Sequence, residues 1–329
     1  MKKRALILGI TGQDGSYLSE ILLAKNYEVH GMYRKSSTGN TSNIDHLLND
    51  PKIFNISFFL HRGDLLDQPS LFRIISDVKP DEIYNEADQD HVKWSFEIIG
   101  YSSDVTSSGV AKLLETVRII DKSIRVFQPV TSNMFGLTRE DVLNEDSTLN
   151  PQSPYAIGKT FAFHTARLYR NAYGMHVSTA ILFNHESPRR TTDYVTRKIS
   201  RAAAKISLGL QNNLVLGDTS ALIDWGHARD YMVAAVEMLQ QPKGDDFVIC
   251  SGELNSVQSF LETAFNYVNL NWKDYVSTSK EFYRPTRTSS LKGDSTKALN
   301  ILKFKPSYGF EDLVIEMVEH DLADLKKRS

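Results

Sequence analysis

Tyr155 and Lys159 lie four positions apart in the run Ser153-Pro154-Tyr155-Ala156-Ile157-Gly158-Lys159. Proline suits the first turn of a helix, where its missing N–H is no loss. A helix beginning at Pro154 puts the phenol and the ammonium on one face. A phenol is a poor base at neutral pH, but an ammonium beside it favours the phenolate and lowers its pKa. Upstream, the strand-like run Arg125-Val126-Phe127 leads to Thr131-Ser132-Asn133, whose hydroxyls can hold a substrate oxygen as it loses its proton. That set takes a proton from an alcohol while hydride leaves the same carbon for a nicotinamide. Tyr194 and Lys198 repeat the spacing, but no hydroxyl-bearing strand end precedes them at a comparable distance, so the first pair is preferred.

The elements that must carry this set follow from the patterning. Ala5–Leu8 reads as a buried strand. The turn Gly9-Ile10-Thr11-Gly12-Gln13-Asp14-Gly15 follows, and then an amphipathic helix over Ser16–Lys25. Strand, glycine turn and helix place a pyrophosphate at a helix N-terminus, here with glycines spaced GxxGxxG rather than GxGxxG. Further strands are predicted at Glu28–Tyr33, Ile56–Leu60, Asp81–Asn85, from Arg125, and at His176–Phe183, with one helix over Tyr101–Ile120. This alternation predicts an α/β fold: a Rossmann-like doubly wound parallel sheet with a smaller C-terminal α/β substrate-binding portion. Residues 1–180 are assigned to the NAD(P)-binding domain. Residues 181–329 are assigned mainly to the substrate-binding domain, with some segments returning to the sheet. At the end of the second strand an acid would suit the ribose diol of NAD, whereas Arg34 suits the 2′-phosphate of NADP. At the end of the third, Asp64 and Leu65 offer an acid and a backbone amide to adenine.

The chain has 329 residues, enough for a large core, and a net charge of −2, which gives no field directed at nucleic acid or an acidic membrane. Its one cysteine, Cys250, sits in an apolar run and reads as core. No Cys/His cluster suggests a metal. The basic start is followed by an apolar run that glycines interrupt too early for a signal peptide or a membrane span, so a cytoplasmic location is expected.

Several stretches carry a more specific signal: Gly9 to Leu18, Arg34-Lys35-Ser36-Ser37, Tyr155 with Lys159, Phe183-Asn184-His185-Glu186-Ser187-Pro188-Arg189-Arg190, Asp224 to Tyr231, and Tyr283-Arg284-Pro285. Over nearly its whole length the chain resembles the extended short-chain dehydrogenase/reductases, and within them the GDP-mannose 4,6-dehydratases. The resemblance implies a tightly bound NAD or NADP, with Arg34 favouring NADP. It would be surrounded by Gly9, Thr11, Gly12, Gln13, Asp14, Gly15, Arg34, Ser36, Ser37, Asp64, Leu65, Gln89, Tyr101, Lys159, His185 and Arg190. Lys159 would hold the nicotinamide ribose and Tyr155 would be the base for O4. Asn184, Lys198 and Arg284 would face the nucleotide half of a GDP-linked sugar. The Arg34–Thr41 loop would help build a homodimer or homotetramer.

The chain departs from the family at the strand end, where Thr-Ser-Glu has become Thr131-Ser132-Asn133. The missing carboxylate would remove the C5 proton once C4 is a ketone, and an amide has no basic site for that proton. The family's Leu-Gly-Ala loop is here Glu86-Ala87-Asp88 and a family serine is Asp90; this loop is expected beside the cofactor. Ile223 and Arg287 replace family residues near the nucleotide. These differences predict an oxidoreductase acting at C4 of a GDP-mannose-like hexose or heptose, forming the 4-keto sugar without dehydration. It would need a second ketone substrate or cofactor exchange for reoxidation. The alternatives are a 4,6-dehydratase using a displaced carboxylate, a 4-keto reductase or C3/C5 epimerase, and a catalytically idle nucleotide-binding scaffold.

Overall fold

The computed structural model describes residues 2–37, 39–279 and 289–328. Its centre is a seven-stranded sheet in which every neighbouring pair is parallel. In chain order the strands are β1 (Arg4–Leu8), β2 (Glu28–Tyr33), β3 (Phe58–Arg62), β4 (Glu82–Asn85), β5 (Arg125–Thr131) and β6 (Val177–Leu182). They are followed by β7 (Asn184–Glu186), β8 (Leu214–Leu216), β9 (Leu222–His227), β10 (Asp246–Ile249), β11 (Leu254–Ser256) and β12 (Val276–Thr278). The order β10-β6-β5-β4-β1-β2-β3 reverses between β1 and β4, the doubly wound arrangement expected. Smaller sheets of three strands, β11-β9-β7, and two, β12-β8, lie outside it.

Both faces of the main sheet are buried, as the apolar runs require. Ala5 and Ile7 join one core with Leu22, Tyr84, Phe127, Met232 and Phe247. Leu6 and Leu8 join the other with Ile83, Leu113, Val126, Phe163 and Cys250. A third core, around Trp225, Phe260, Phe265 and Met317, holds the C-terminal helices.

Three boundaries differ from the sequence reading. The first helix begins at Gln13, inside the glycine turn, and runs to Ala24. β3 lies two residues later than expected, because Ile56 and Ser57 bond back into the turn at Ile53. The single helix expected over Tyr101–Ile120 consists of Ile99–Ser103, a π-helical stretch Asp104–Ser108 and Gly109–Ile120. The widening falls where Thr106 meets the helix carrying Tyr155, since a Cβ on Gly158 would come within 2.0 Å of Thr106 Oγ1. Among the described residues, no helix is long and apolar enough to cross a membrane, and no group of His, Cys, Asp or Glu could hold a metal ion.

Candidate active site

The helix Pro154–Tyr173 starts as its sequence dictates: Ser153 Oγ accepts from Ala156 N at 3.2 Å, and proline occupies the first turn. The helix packs on β5 and delivers Tyr155 and Lys159 to the carboxyl end of the sheet, 7 % and 4 % exposed. Lys159 Nζ lies 5.8 Å from the centroid of the Tyr155 ring. It donates to Pro129 O at 3.0 Å and reaches Asp88 Oδ2 at 2.5 Å. Beside them, Thr131 Oγ1 accepts from both the backbone N and Nδ2 of Asn133, at 3.2 and 3.1 Å. Tyr155, Lys159, Thr131, Ser132 and Asn133 are thus gathered at one strand end. The second Tyr/Lys copy is not built alike. Tyr194 precedes its helix as an extended N-cap residue, its ring against the Arg190 guanidinium.

Asp88 is the residue whose place the sequence reading missed. The loop Glu86–Asp90 was expected beside a cofactor, with a replacement base among its acids as the lesser reading; in the structure Asp88 ion-pairs with Lys159. The loop is pinned at its start, where Glu86 N donates to Leu8 O at 2.9 Å and the Glu86 carbonyl covers Gly9. A Cβ on Gly9, whose φ is +77°, would come within 2.6 Å of that oxygen. Gln89 then folds inward, Nε2 donating to His91 O and Oε1 accepting from Ser102, so its amide ties the loop to the helix Ile99–Ser103. The signal was in the sequence as three acids in a loop at the carboxyl end of β4, but no spacing rule says which cation they meet.

The ionic arrangement also corrects the expectation for Tyr155. Burial raises its pKa first; Lys159 and a hydrogen bond from Thr131 lower it, while Asp88 and Asp90 raise it, and the phenol ends above its usual 10.0. The lysine charge that was to lower the phenol is offset by Asp88 at close range. Asp88 itself is raised, by burial against the opposing pull of Lys159. Glu86, whose Oε1 is buried without a partner, is pushed well above the usual carboxyl range by burial and by Asp14.

The other expected binding residues form a continuous rim. Gly12 is the N-cap of the first helix and has no side chain to cover its amides. Asp14 Oδ2 pairs with His185 Nε2 at 2.9 Å, and His185 Nδ1 donates to Phe183 O. Burial would lower His185 and raise Asp14, but their mutual attraction wins: the imidazole lies above its usual value and the carboxyl below. Gln13 accepts from Ser187 Oγ at 2.8 Å, Asn43 reaches Thr11 O, and Arg189 lies over the Tyr17 ring at 4.0 Å. The segment 183–190 is therefore clamped onto the glycine turn. Arg190 bonds Asp90 at 3.2 Å. Arg34 donates to Tyr101 Oη, which joins the end of β2 to the helix Ile99–Ser103. Asp64 Oδ1 caps the turn at Leu66 N, and Leu65 is buried against Gly109. Asn184 sits in β7 opposite Trp225 of β9, and Lys198 is one turn into the helix Val195–Ser207. Ser36 and Ser37 follow β2 on the surface. Arg284, and Arg287 with it, lie outside the described residues.

Another recognisable stretch proves architectural. Asp224 accepts from Ser251 N, Gly252 N and Gly293 N, which ties β9 to the turn after β10. His227 stacks on Tyr308 at 4.0 Å and pairs with Glu316 at 2.9 Å.

A doubly wound parallel sheet, a glycine turn under the helix N-terminus and a Tyr/Lys pair beside a hydroxyl strand end define the extended short-chain dehydrogenase/reductase class. Within it, the family model for GDP-mannose 4,6 dehydratase matches residues 6–317, and the chain belongs to that family. It is 49% identical to GDP-mannose 4,6 dehydratase 1 of Arabidopsis thaliana over 99% of this chain and 91% of that one. It is 42% identical to GDP-mannose 4,6-dehydratase of Vibrio cholerae over 98% and 94%. Among solved structures, dTDP-glucose 4,6-dehydratase from Bacillus anthracis in complex with NAD superposes with a TM-score of 0.84 at 20% identity, covering 98% of each chain.

Proposed function

We propose that this protein is an NAD(P)-dependent oxidoreductase that acts at C4 of a GDP-mannose-like nucleotide sugar, hexose or heptose, and forms the 4-keto sugar without expelling the C6 hydroxyl. The observation that carries the reading is Asn133. Its amide donates to Thr131 Oγ1 at 3.1 Å, at the position where the resemblance calls for a glutamate.

The residues fit a dinucleotide at the glycine turn. Gly12 leaves the helix N-terminus open, the close approach of Gly9 and Gly15 leaves no room for a Cβ at either, and Arg34 with Tyr101 stands at the far end of β2. Gly9, Thr11, Gly12, Gln13, Asp14, Gly15, Arg34, Ser36, Ser37, Asp64, Leu65, Gln89, Tyr101, His185 and Arg190 would hold it, with Lys159 at the reacting end. When bound, a nicotinamide supplies the hydride acceptor. The chain does the rest. Thr131 and Ser132 orient O4, Tyr155 takes its proton, and Lys159 keeps positive charge beside the phenolate. Asn133 then leaves the C5 proton in place, since its amide carries no base. Asn184, Lys198 and Arg284 would face the nucleotide.

Because no hydride returns to C6, the reduced cofactor must leave or be reoxidised by a second ketone. The helix Pro154–Tyr173 also presents Ile157, Phe161 and Leu168 along one side, 57%, 49% and 57% exposed, which supports a homodimer or homotetramer. The test is incubation with GDP-mannose-type sugars while reduced nicotinamide and product mass are followed. Net reduction with the mass of a ketone is expected; loss of water with no net reduction overturns the reading. A second reading, a 4,6-dehydratase using a displaced carboxylate, is favoured by Asp88 lying beside Lys159. In that case Asp88→Asn abolishes a water loss that the unsubstituted protein shows.

A further inference from the structure

Tyr194 repeats the Tyr/Lys spacing without sharing its chemistry, yet the fold brings it to the same site. It caps the helix Val195–Ser207 with extended backbone, φ −84° and ψ 146°, so the helix start fixes its place. Its ring is held on two sides: Arg190 Cζ lies 3.5 Å from the centroid, and the His91 ring stands edge-on at 5.4 Å. Arg190 is anchored in turn by Asp90 at 3.2 Å. Asp90 belongs to the loop whose Asp88 reaches Lys159, so one short loop runs from Lys159 to the neighbourhood of Tyr194. Asp90 faces both phenols, and Tyr155 lies within electrostatic range of Tyr194. Tyr194 Oη is nonetheless buried without a hydrogen-bond partner by distance and angle, even though Asp90 stands beside it. We infer that Tyr194 is a substrate-positioning residue whose hydroxyl donates to a sugar hydroxyl flanking C4, so that the site selects sugars that carry it. This rests on the proposed reading of the site as one that acts at C4 of a nucleotide sugar.

A buried hydroxyl left unmet costs free energy, and a ligand that supplies its partner recovers that cost. The ligand follows from what surrounds the hydroxyl. Burial raises the Tyr194 phenol and Asp90 raises it further, against the pull of Arg190, so it stays protonated and acts as a donor. The oxygen of a sugar hydroxyl accepts from it. The half-exposed carboxylate of Asp90 then accepts that hydroxyl's own proton, which satisfies the sugar oxygen as donor and as acceptor. Position selects the sugar. C4 lies at Tyr155, and Lys198, on the helix that Tyr194 caps, is the residue proposed for the nucleotide half. The hexose ring therefore lies between them, alongside Tyr194, and its hydroxyls nearest C4 are those on C3 and C6. A site built in this way rejects an analogue lacking the hydroxyl, because the buried partner is left unpaired.

The experiment removes one hydroxyl from each side of the contact. Tyr194→Phe and the unsubstituted protein, both loaded with reduced nicotinamide cofactor so that no hydride can be taken, are titrated calorimetrically with GDP-mannose and its 3-deoxy and 6-deoxy analogues. The unsubstituted protein should bind one of the two analogues about 10–100-fold more weakly than GDP-mannose. Tyr194→Phe should bind GDP-mannose about as weakly as that analogue and show no further loss with it. Losses that simply multiply for both analogues overturn the inference. Phenylalanine keeps both ring contacts and removes only an unmet hydroxyl, so Tyr194→Phe should be at least as stable as the unsubstituted protein in urea unfolding without sugar. A destabilised variant means that Oη is used within the protein, which also overturns the inference. So does weakened binding of NAD or NADP with the sugar affinities unchanged, which would assign the hydroxyl to the dinucleotide. These readouts stand apart from product analysis. A dehydrated product sinks the oxidoreductase reading and leaves the binding cycle intact, and GDP-mannose that does not bind at all removes both. A flat cycle in an enzyme that forms the ketone sinks only the role of Tyr194.

Discussion

On the proposed reading, Asn133 stands where the resemblance implies a carboxylate and Asp88 where it implies none. Asn133 is held by Thr131, so a glutamate placed there starts from a defined backbone, the short 3₁₀ turn Ser132–Met134. Asn133→Glu is expected to raise the dehydration rate by about 10²–10⁴-fold, the usual worth of a positioned general base, measured as ketone that has lost one water. If dehydration is as slow as before, Asn133 is not what blocks it. Asp88 acts on Tyr155 through Lys159. With the phenol raised above 10.0 by burial and the nearby acids, the phenolate fraction grows with pH, so ketone formation should climb from neutral into alkaline pH without levelling. Asp88→Asn removes a raising influence and releases the lysine charge, so the whole profile should move toward lower pH. A profile that stays put would mean that Lys159 is not the channel between the two. Tyr155→Phe should cost about 10²–10⁴-fold in turnover; no change at all would leave only a binding protein.

At the scale of elements, the start of the helix Pro154–Tyr173 was legible to the residue from its proline, whereas its end, where Gly174 follows with φ +67°, was not read. β1, β2, β4 and β6 were legible for a similar reason, being short apolar runs closed by polar turns. The π-helical stretch was not. It arises from a contact between two helices distant in sequence, and nothing in the local periodicity of Asp104–Ser108 announces that Thr106 must clear Gly158. Gly158→Ala should therefore destabilise the protein by about 1–3 kcal/mol in urea unfolding, the range for overpacking a tight core. Thr106→Ala on top of it should recover part of the loss, since Oγ1 is the atom a Cβ meets at 2.0 Å. Simple additivity of the two substitutions would place the strain elsewhere.

Over the whole molecule, the doubly wound parallel sheet followed from the βαβ alternation, and the gathering of Tyr155, Lys159 and Thr131 followed from ligands favouring the carboxyl ends of such a sheet. What the alternation left open was how segment 183–190 closes on the glycine turn, since pairings more than 170 residues apart in sequence have no periodicity to read, and the Gln13–Ser187 separation is 174. The Asp14–His185 pair is the charged part of that closure. His185 is raised above 6.5 in the folded protein, so its share of stability is fully present below pH 6.5 and fades as pH rises through the raised value. Asp14 is lowered below 3.8, so its share is present above pH 3.8 and is lost as pH falls through the lowered value. The window in which both contribute fully lies between 3.8 and 6.5. His185→Gln should therefore destabilise by about 1.5–3 kcal/mol inside that window, the worth of a hydrogen bond to a charged group, and by less well above it. Urea unfolding of the two proteins across this range checks it: a loss that stays constant with pH would assign His185 a packing role against Tyr231, whose ring lies 5.0 Å away, in place of an electrostatic one.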